Sequence, residues 1–141
     1  MRTVGKNQVI NETQYEQATS ILSHLLRESQ AKCALVVDRD GQVVTKEGFS
    51  KNVDTTALAA LAAGAIASTK EIARLVGEPE FSVLLHQGAK GHIHFSLVGE
   101  RGILVVIFDD RTTLGMVRLF AKQAVTDLEQ IFAGSRARVA A

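Results

Sequence analysis

The sequence predicts an α/β (α+β) domain of three layers, in which three helices cover a mostly antiparallel sheet of five strands. The hydrophobic patterns follow the order helix, two strands, helix, three strands, helix, and short turns join the strands. The last strand, Ile103 to Phe108, is apolar on both faces, so we expect it to be central in the sheet. With 141 residues, 46% of them hydrophobic, the chain can form one domain with a substantial core.

The first helix is predicted to begin at Thr13, because Thr13 and Glu16 have the spacing of a capping box. Its core-facing stripe is expected to be Tyr15, Ala18, Leu22, Leu25, Leu26 and Ser29. Residues 1–11 are polar, and we expect a flexible segment there. The domain is predicted to occupy residues 12–133, followed by a short tail over residues 134–141.

A hairpin and a long helix are predicted next. Cys33 to Val37 is a short, valine-containing run typical of a buried strand. Asp40-Gly41 is a strong turn signal, and Gln42 to Lys46 is expected to return as the second strand. Asp54 is then expected to cap a helix that ends near Val76.

Three strands are predicted in close succession before the final helix. They span Phe81 to His86, His92 to Val98 and Gly102 to Phe108. Asp109 or Asp110 is expected to cap or precede the helix, because an aspartate there complements exposed amides and the helix dipole. The core-facing stripe of this helix is predicted to be Val117, Phe120, Ala121, Ala124, Leu128 and Ile131.

The second helix carries the most information about function. A helical projection predicts that five residues face the sheet: Leu58, Leu61, Ala65, Ile72 and Val76. The opposite half carries small residues and then charged ones: Thr56, Ala60, Ala63, Gly64, Ala67, Lys70, Glu71 and Arg74. Solvated helix faces are normally polar, so this small apolar face indicates contact with another protein surface. The alternative is simply an alanine-rich helix, but Gly64 costs about 1 kcal/mol relative to alanine and disfavours it.

Two sets of interface residues follow from these patterns. The residues expected to bind a partner are Ala60, Ala63, Gly64, Ala67, Lys70, Glu71 and Arg74. The strand Phe81 to His86 contains no proline or lysine, so as a sheet edge it could pair with its copy in a homodimer. The predicted dimer interface is therefore Phe81, Val83, Leu85, Ala60 and Gly64.

Patterns typical of catalysis or metal binding are absent from the sequence. It has no P-loop, no Rossmann glycine fingerprint and no nucleophile elbow, so we predict a protein that is not an enzyme and needs no cofactor. His92 and His94 share one face of a strand and His86 lies across the hairpin, but no fourth ligand is present, so no metal site is predicted. Cys33 lies in an apolar strand, where a thiolate is disfavoured.

Charge and hydrophobicity also exclude several classes of partner. A formal net charge of +1 provides no general attraction to nucleic acid or to an anionic membrane. The longest apolar run, Ala57 to Ala67, is too short to span a bilayer, and the N-terminus lacks the apolar core of a signal peptide. We therefore expect a cytoplasmic protein that neither binds nucleic acid nor inserts into membranes.

Ordered motifs between about residue 31 and residue 133 resemble a known family. They include Val37-Asp38 with Asp40-Gly41-Gln42, Asn52-Val53-Asp54-Thr55-Thr56, Leu75-Val76-Gly77-Glu78, His86-x-Gly88-Ala89-Lys90 and Leu104-Val105-Val106-Ile107-Phe108-Asp109. The chain is similar to the roadblock (dynein light chain) family, and more narrowly to bacterial mutual gliding-motility proteins of the MglB type. The order of helices and strands also agrees with the roadblock fold.

The resemblance implies a homodimer with a joined sheet of ten strands, in which the two second helices lie side by side. It also implies that this helix pair binds one small Ras-like GTPase that controls cell polarity and gliding motility. The dimer would accelerate GTP hydrolysis without an arginine finger, by bringing the GTPase's own catalytic residues into line. The place expected from the resemblance is the cytoplasm, with concentration at a cell pole.

Two other hypotheses remain open from the sequence. The same dimer could be a scaffold or adaptor that binds a GTPase or motility proteins without affecting hydrolysis. Alternatively, the hairpin with His86, His92 and His94 could make the protein a small-molecule sensor or metal protein.

Overall fold

The computed structural model describes residues 2–3 and 9–140, with the side chains of residues 10–133. The three helices are α1 (Glu12–Ser29), α2 (Thr55–Leu75) and α3 (Leu114–Ala140). The strands are β1 (Arg2–Thr3), β2 (Val9–Ile10), β3 (Cys33–Asp38), β4 (Val43–Gly48), β5 (Val83–Gln87), β6 (Gly91–Val98) and β7 (Gly102–Asp109). Helix α3 continues to Ala140, past residue 133, where we expected the domain to end.

The main sheet has the strand order β4-β3-β7-β6-β5, and every neighbouring pair is antiparallel. Helices α1 and α3 pack on one face of this sheet and α2 on the other. The predicted three-layer class is therefore confirmed, with β7 inside the sheet and β5 at one edge. The other edge is β4, whose residues Lys46 and Glu47 place charges along it.

The two faces of the sheet form two separate cores because side chains alternate along each strand. In β3, Ala34 and Val36 join the core under α1 and α3, whereas Leu35 and Val37 join the core under α2. All six residues of β3 are buried, as expected for an inner strand covered on both faces.

The start of α1 differs from the prediction. Asn11 is the N-cap: its Oδ1 accepts a hydrogen bond from the Gln14 amide at 2.8 Å, and its own amide donates to Gln14 Oε1 at 2.9 Å. The predicted capping box at Thr13 and Glu16 is therefore wrong by two residues. The earlier start follows from the burial of Ile10, which is 0% exposed and anchors the chain just before the helix.

The N-terminal segment is only partly covered by the structure. The flexibility expected for residues 1–11 lies outside the described residues at residue 1 and residues 4–8. In the described part, β2 pairs antiparallel with β1 and Ile10 is fully buried, and the expected flexibility of the segment stays a prediction. Residues 1–11 are mostly polar, so their composition did not indicate that Ile10 is buried.

Two other boundaries also move. Strand β4 extends to Gly48, whose φ of +96° favours glycine, and a Cβ atom there would collide with the Lys32 carbonyl and Leu26. Strand β5 begins at Val83, so Phe81 lies just before the edge strand that we predicted to include it.

Helix α2 begins as predicted, because the Ala57 amide donates a 3.0 Å hydrogen bond to Asp54 Oδ1. For α3, Thr113 Oγ1 accepts from the Met116 amide at 3.2 Å, so Thr113 is the cap. Asp109 and Asp110 precede the helix, which is the second of the two alternatives predicted for them.

Candidate functional site

Helix α2 packs on the sheet through its small residues. Ala59, Ala62 and Ala73 are at most 1% exposed, and Ile66 is buried between them. Small side chains let the helix backbone lie close to β3, β4 and β7. The closeness is visible at Gly41 in the β3–β4 turn, where a Cβ atom would lie 3.1 Å from the Ala60 Cα.

This packing corrects the predicted sheet-facing residues of α2. Leu61 is 71% exposed, Ile72 is 53% exposed and Val76 is 64% exposed, while Leu58 and Ala65 are half-buried at the flanks. The prediction assumed that the larger side chains face the sheet. Alanines face it instead, because they allow the closest approach of the helix to the strands.

The opposite side of α2 therefore carries large apolar side chains that the prediction placed in the core. We define the outer face of α2 as Ala60, Leu61, Gly64, Ala67, Ile72 and Leu75, all of which are exposed. Leu75 is 72% exposed, and residues 61, 64, 68, 72 and 75 follow one another at helical intervals. That periodicity places Leu61, Ile72 and Leu75 on one face of the helix, but it does not show whether this face is buried or exposed.

Most of the residues predicted to bind a partner lie on the solvent side of α2. Ala60, Gly64, Ala67, Lys70, Glu71 and Arg74 are exposed, whereas Ala63 is half-buried and packs against the core beneath α2. The prediction for these residues stays a prediction, because no bound partner is present.

The charged residues lie toward the C-terminal end of the outer face. Arg74 donates to Glu71 Oε1 through Nε at 2.9 Å and through Nη2 at 2.6 Å. Both side chains are about two-thirds exposed, so this pair adds little to folding stability. It does hold the Arg74 guanidinium along the helix surface.

Gly64 has no structural requirement within its own chain. Apart from Gly64, its two chain neighbours and the backbone of α2, no atom of the described residues lies within 4 Å of the position that a Cβ would take there. Glycine within a helix lowers stability by about 1 kcal/mol relative to alanine. Contact of Gly64 with a surface outside the chain would explain why a glycine stands there.

The residues predicted to form the dimer interface lie in two separate places, at the edge strand β5 and on α2. Val83 is 43% exposed and Phe81 is 38% exposed at the edge, and Leu85 is half-buried against the core under α1 and α3. Ala60 and Gly64 lie on α2, on the other face of the sheet. The structure of one chain therefore does not bring these five residues into one patch.

The three hairpin histidines have different surroundings. His92 Nε2 lies 3.1 Å from Asp110 Oδ1, and His94 is buried beneath α3. His86 lies on the opposite face of the sheet, where its ring meets Phe95 edge-on at 5.0 Å between centroids. Among the residues that the structure describes, no group of three His, Cys, Asp or Glu side chains is placed to hold a metal ion.

Two further observations concern the reactivity of Cys33 and the presence of membrane-spanning helices. Burial raises the pKa of the Cys33 thiol, which keeps it protonated at neutral pH and unsuited to act as a nucleophile. In the described part of the chain, no helix combines the length and the apolar character needed to cross a membrane.

Comparison with known proteins identifies the family. The model of the Roadblock/LC7 domain matches residues 18–108. MglB of Myxococcus xanthus is 40% identical, with a TM-score of 0.84 over 89% of this chain and 95% of that chain. The gliding protein MglB of Thermus thermophilus is 34% identical, with a TM-score of 0.87 over 93% of this chain and 99% of that chain.

A further solved structure, described as MglB with a tetrameric arrangement, is 33% identical, with a TM-score of 0.88. It covers 94% of this chain and 99% of its own. The chain therefore belongs to the Roadblock/LC7 domain family, and within that family it is similar to MglB.

Proposed function

We propose that this protein is a homodimeric regulator of gliding motility that activates a small Ras-like GTPase without being an enzyme itself. The observation that carries this proposal is the outer face of α2, which exposes Leu61, Ile72 and Leu75 around the small residues Gly64 and Ala67. Large apolar side chains around a glycine suit a second helix or a protein surface that approaches closely.

The proposed mechanism is positioning. The outer face binds the GTPase in the conformation in which its own catalytic residues and water are aligned, and this shifts the population toward hydrolysis. An arginine finger is not part of the mechanism. In agreement with this, Arg74 is the one arginine of α2, and its guanidinium is tied to Glu71.

The dimer is proposed to form through β5. The other edge strand, β4, carries Lys46 and Glu47, whereas β5 consists of Val83-Leu84-Leu85-His86-Gln87 without lysine or glutamate. Charged side chains protect an edge against pairing, so β5 is the edge suited to extend the sheet to ten strands. Two α2 helices related by a two-fold axis would then form one site, which gives two copies of this protein per GTPase. We place the complex in the cytoplasm, concentrated at a cell pole.

The proposal is tested by measuring phosphate release from the GTPase partner with and without this protein. We expect faster release with the natural protein and no acceleration with Ala67→Arg, because the arginine places a long charged side chain in the centre of the outer face. Gln123→Arg is the matched control, since Gln123 is exposed on α3, on the other side of the sheet.

Two results would contradict the proposal. Acceleration that survives Ala67→Arg would exclude the outer face from the mechanism. Binding of the GTPase without any acceleration would favour the alternative function, a homodimeric scaffold or adaptor for a GTPase or for motility proteins.

A further inference from the structure

A pocket lies on the face of the sheet opposite α2, between α3 and the strands β5 and β6. Its volume is about 420 Å³. The buried residues His94 and Ser96 of β6 line it, together with Ser82 and Val83 at the sheet edge. The outer face of α2 contributes no residue to this pocket, while Val83 in its lining also belongs to the edge strand proposed to form the dimer.

His94 is the unusual group in the pocket. The residue is only 2% exposed, and its Nδ1 lies 3.4 Å from Ser96 Oγ. The Nε2 atom is buried and has no hydrogen-bond partner among the residues that the structure describes. Burial, and then the nearby Arg118 guanidinium, lower the pKa of His94, so the ring is neutral at neutral pH. When Ser96 donates to Nδ1, the ring proton is on Nε2 and needs an acceptor.

The remaining polar groups favour a negatively charged acceptor. Helix α3 contributes Arg118 and Lys122, and neither side chain forms an ion pair with another residue of the described region. The hydroxyl of Ser82 adds a donor at the sheet edge, whereas the Thr126 hydroxyl already donates to the Lys122 carbonyl at 3.2 Å. Glu129 is the single carboxylate in the described lining. Two cations, a ring N–H and one hydroxyl group together match the donors that bind an oxyanion.

We propose that this pocket binds one oxyanion group, a phosphate or a carboxylate, which accepts from His94 Nε2 and is held by Arg118 and Lys122. Two sources have this chemistry: a small anion free in solution, or an acidic side chain of a bound protein. The site contains no residue of the outer face of α2. The test of oxyanion binding can therefore fail without affecting the proposed GTPase activation, and the reverse is also true.

The test is an NMR titration of the full chain with inorganic phosphate and, separately, with acetate, each at constant ionic strength against sodium chloride. We expect saturable shifts of the Ser96 amide and the His94 ring. Binding should weaken about tenfold in Arg118→Gln and in Lys122→Gln, because each variant removes one charge-assisted contact. Both residues are exposed, so the variants should fold; Lys51→Gln, an exposed charge removed elsewhere, should bind normally.

The two probes distinguish the sources. Saturation by phosphate alone supports a free phosphate-type ligand, and saturation by acetate alone supports the carboxylate of an acidic side chain. Saturation by both supports the shared chemistry. Shifts that never saturate, or that are equally strong in Arg118→Gln and Lys51→Gln, would overturn the proposal.

Discussion

At the scale of single residues, His94 links burial to the pH dependence of stability. Its folded-state pKa is lowered from the ordinary 6.5, first by burial and then by Arg118. The unfolded chain therefore takes up this proton at a higher pH than the folded chain does. The stabilisation that His94 contributes is present above pH 6.5 and is lost as the pH falls toward the lower folded-state value.

We predict that the free energy of unfolding of the natural protein decreases as the pH falls below 6.5, and that this decrease is smaller in His94→Gln. Urea unfolding at several pH values measures it. The matched control is His24→Gln, because His24 is exposed on α1. The Asp109 carboxylate does not interfere, since its hydrogen bond to Arg111 lowers its pKa below the ordinary 3.8. An unchanged slope in His94→Gln would contradict the account.

At the scale of elements, hydrophobic periodicity predicted the type and order of all three helices and of the five strands in the main sheet. It predicted the core stripe of α1, where Ala18, Leu22 and Leu25 are buried. It failed for α2, because the rule that larger apolar residues face the core does not hold where Ala59 and Ala62 let the helix approach the sheet. Which apolar stripe of a helix is buried depends on the packing distance, and this distance is not encoded in local periodicity.

Gly64→Ala is expected to have opposite effects on the stability of the chain and on GTPase binding by the outer face of α2. We predict that this change stabilises the chain by about 0.5–1 kcal/mol, because alanine is the better helix former. Outside its own stretch of helix, no described atom lies within 4 Å of the new methyl group. The same methyl group should weaken GTPase binding, since it keeps the partner backbone away. Unfolding titrations and binding measurements on the same variant test both effects. Stabilisation with unchanged affinity would mean that no surface approaches Gly64.

Substitutions of the large apolar residues of α2 should affect either GTPase binding or stability, depending on whether the residue is exposed or buried. Leu61→Gln should change the free energy of unfolding by less than about 0.5 kcal/mol, because Leu61 is mostly exposed, but should reduce GTPase affinity at least tenfold. Ile66→Ala should cost about 2–4 kcal/mol of stability, because Ile66 is buried. The folded fraction of this variant should still bind. A Leu61→Gln protein that binds normally would be evidence that the outer face is not the docking surface.

At the scale of the whole molecule, the proposed function depends on a dimer built through β5. We predict a mass in solution of about 30 kDa, twice the 15.2 kDa of one chain. Val83→Lys should reduce it to that of one chain, because a charged edge strand resists pairing. Light scattering measures both, with Gln123→Lys on α3 as the control. The sequence predicted this edge strand but could not show that Ala60 and Gly64 lie on the other face of the sheet from Val83, since that depends on the three-dimensional arrangement.

The central claim is that protein covers the outer face of α2 when the regulator acts. Its most direct test is the solvent accessibility of the Leu61, Ile72 and Leu75 methyl groups to a soluble paramagnetic probe, with the GTPase present. Leu119 on α3 is 60% exposed and provides an internal reference on the opposite side of the sheet. We predict that the three α2 residues become protected while Leu119 stays accessible. Methyl groups that remain as accessible as Leu119, in a mixture where GTP hydrolysis is accelerated, would contradict the claim.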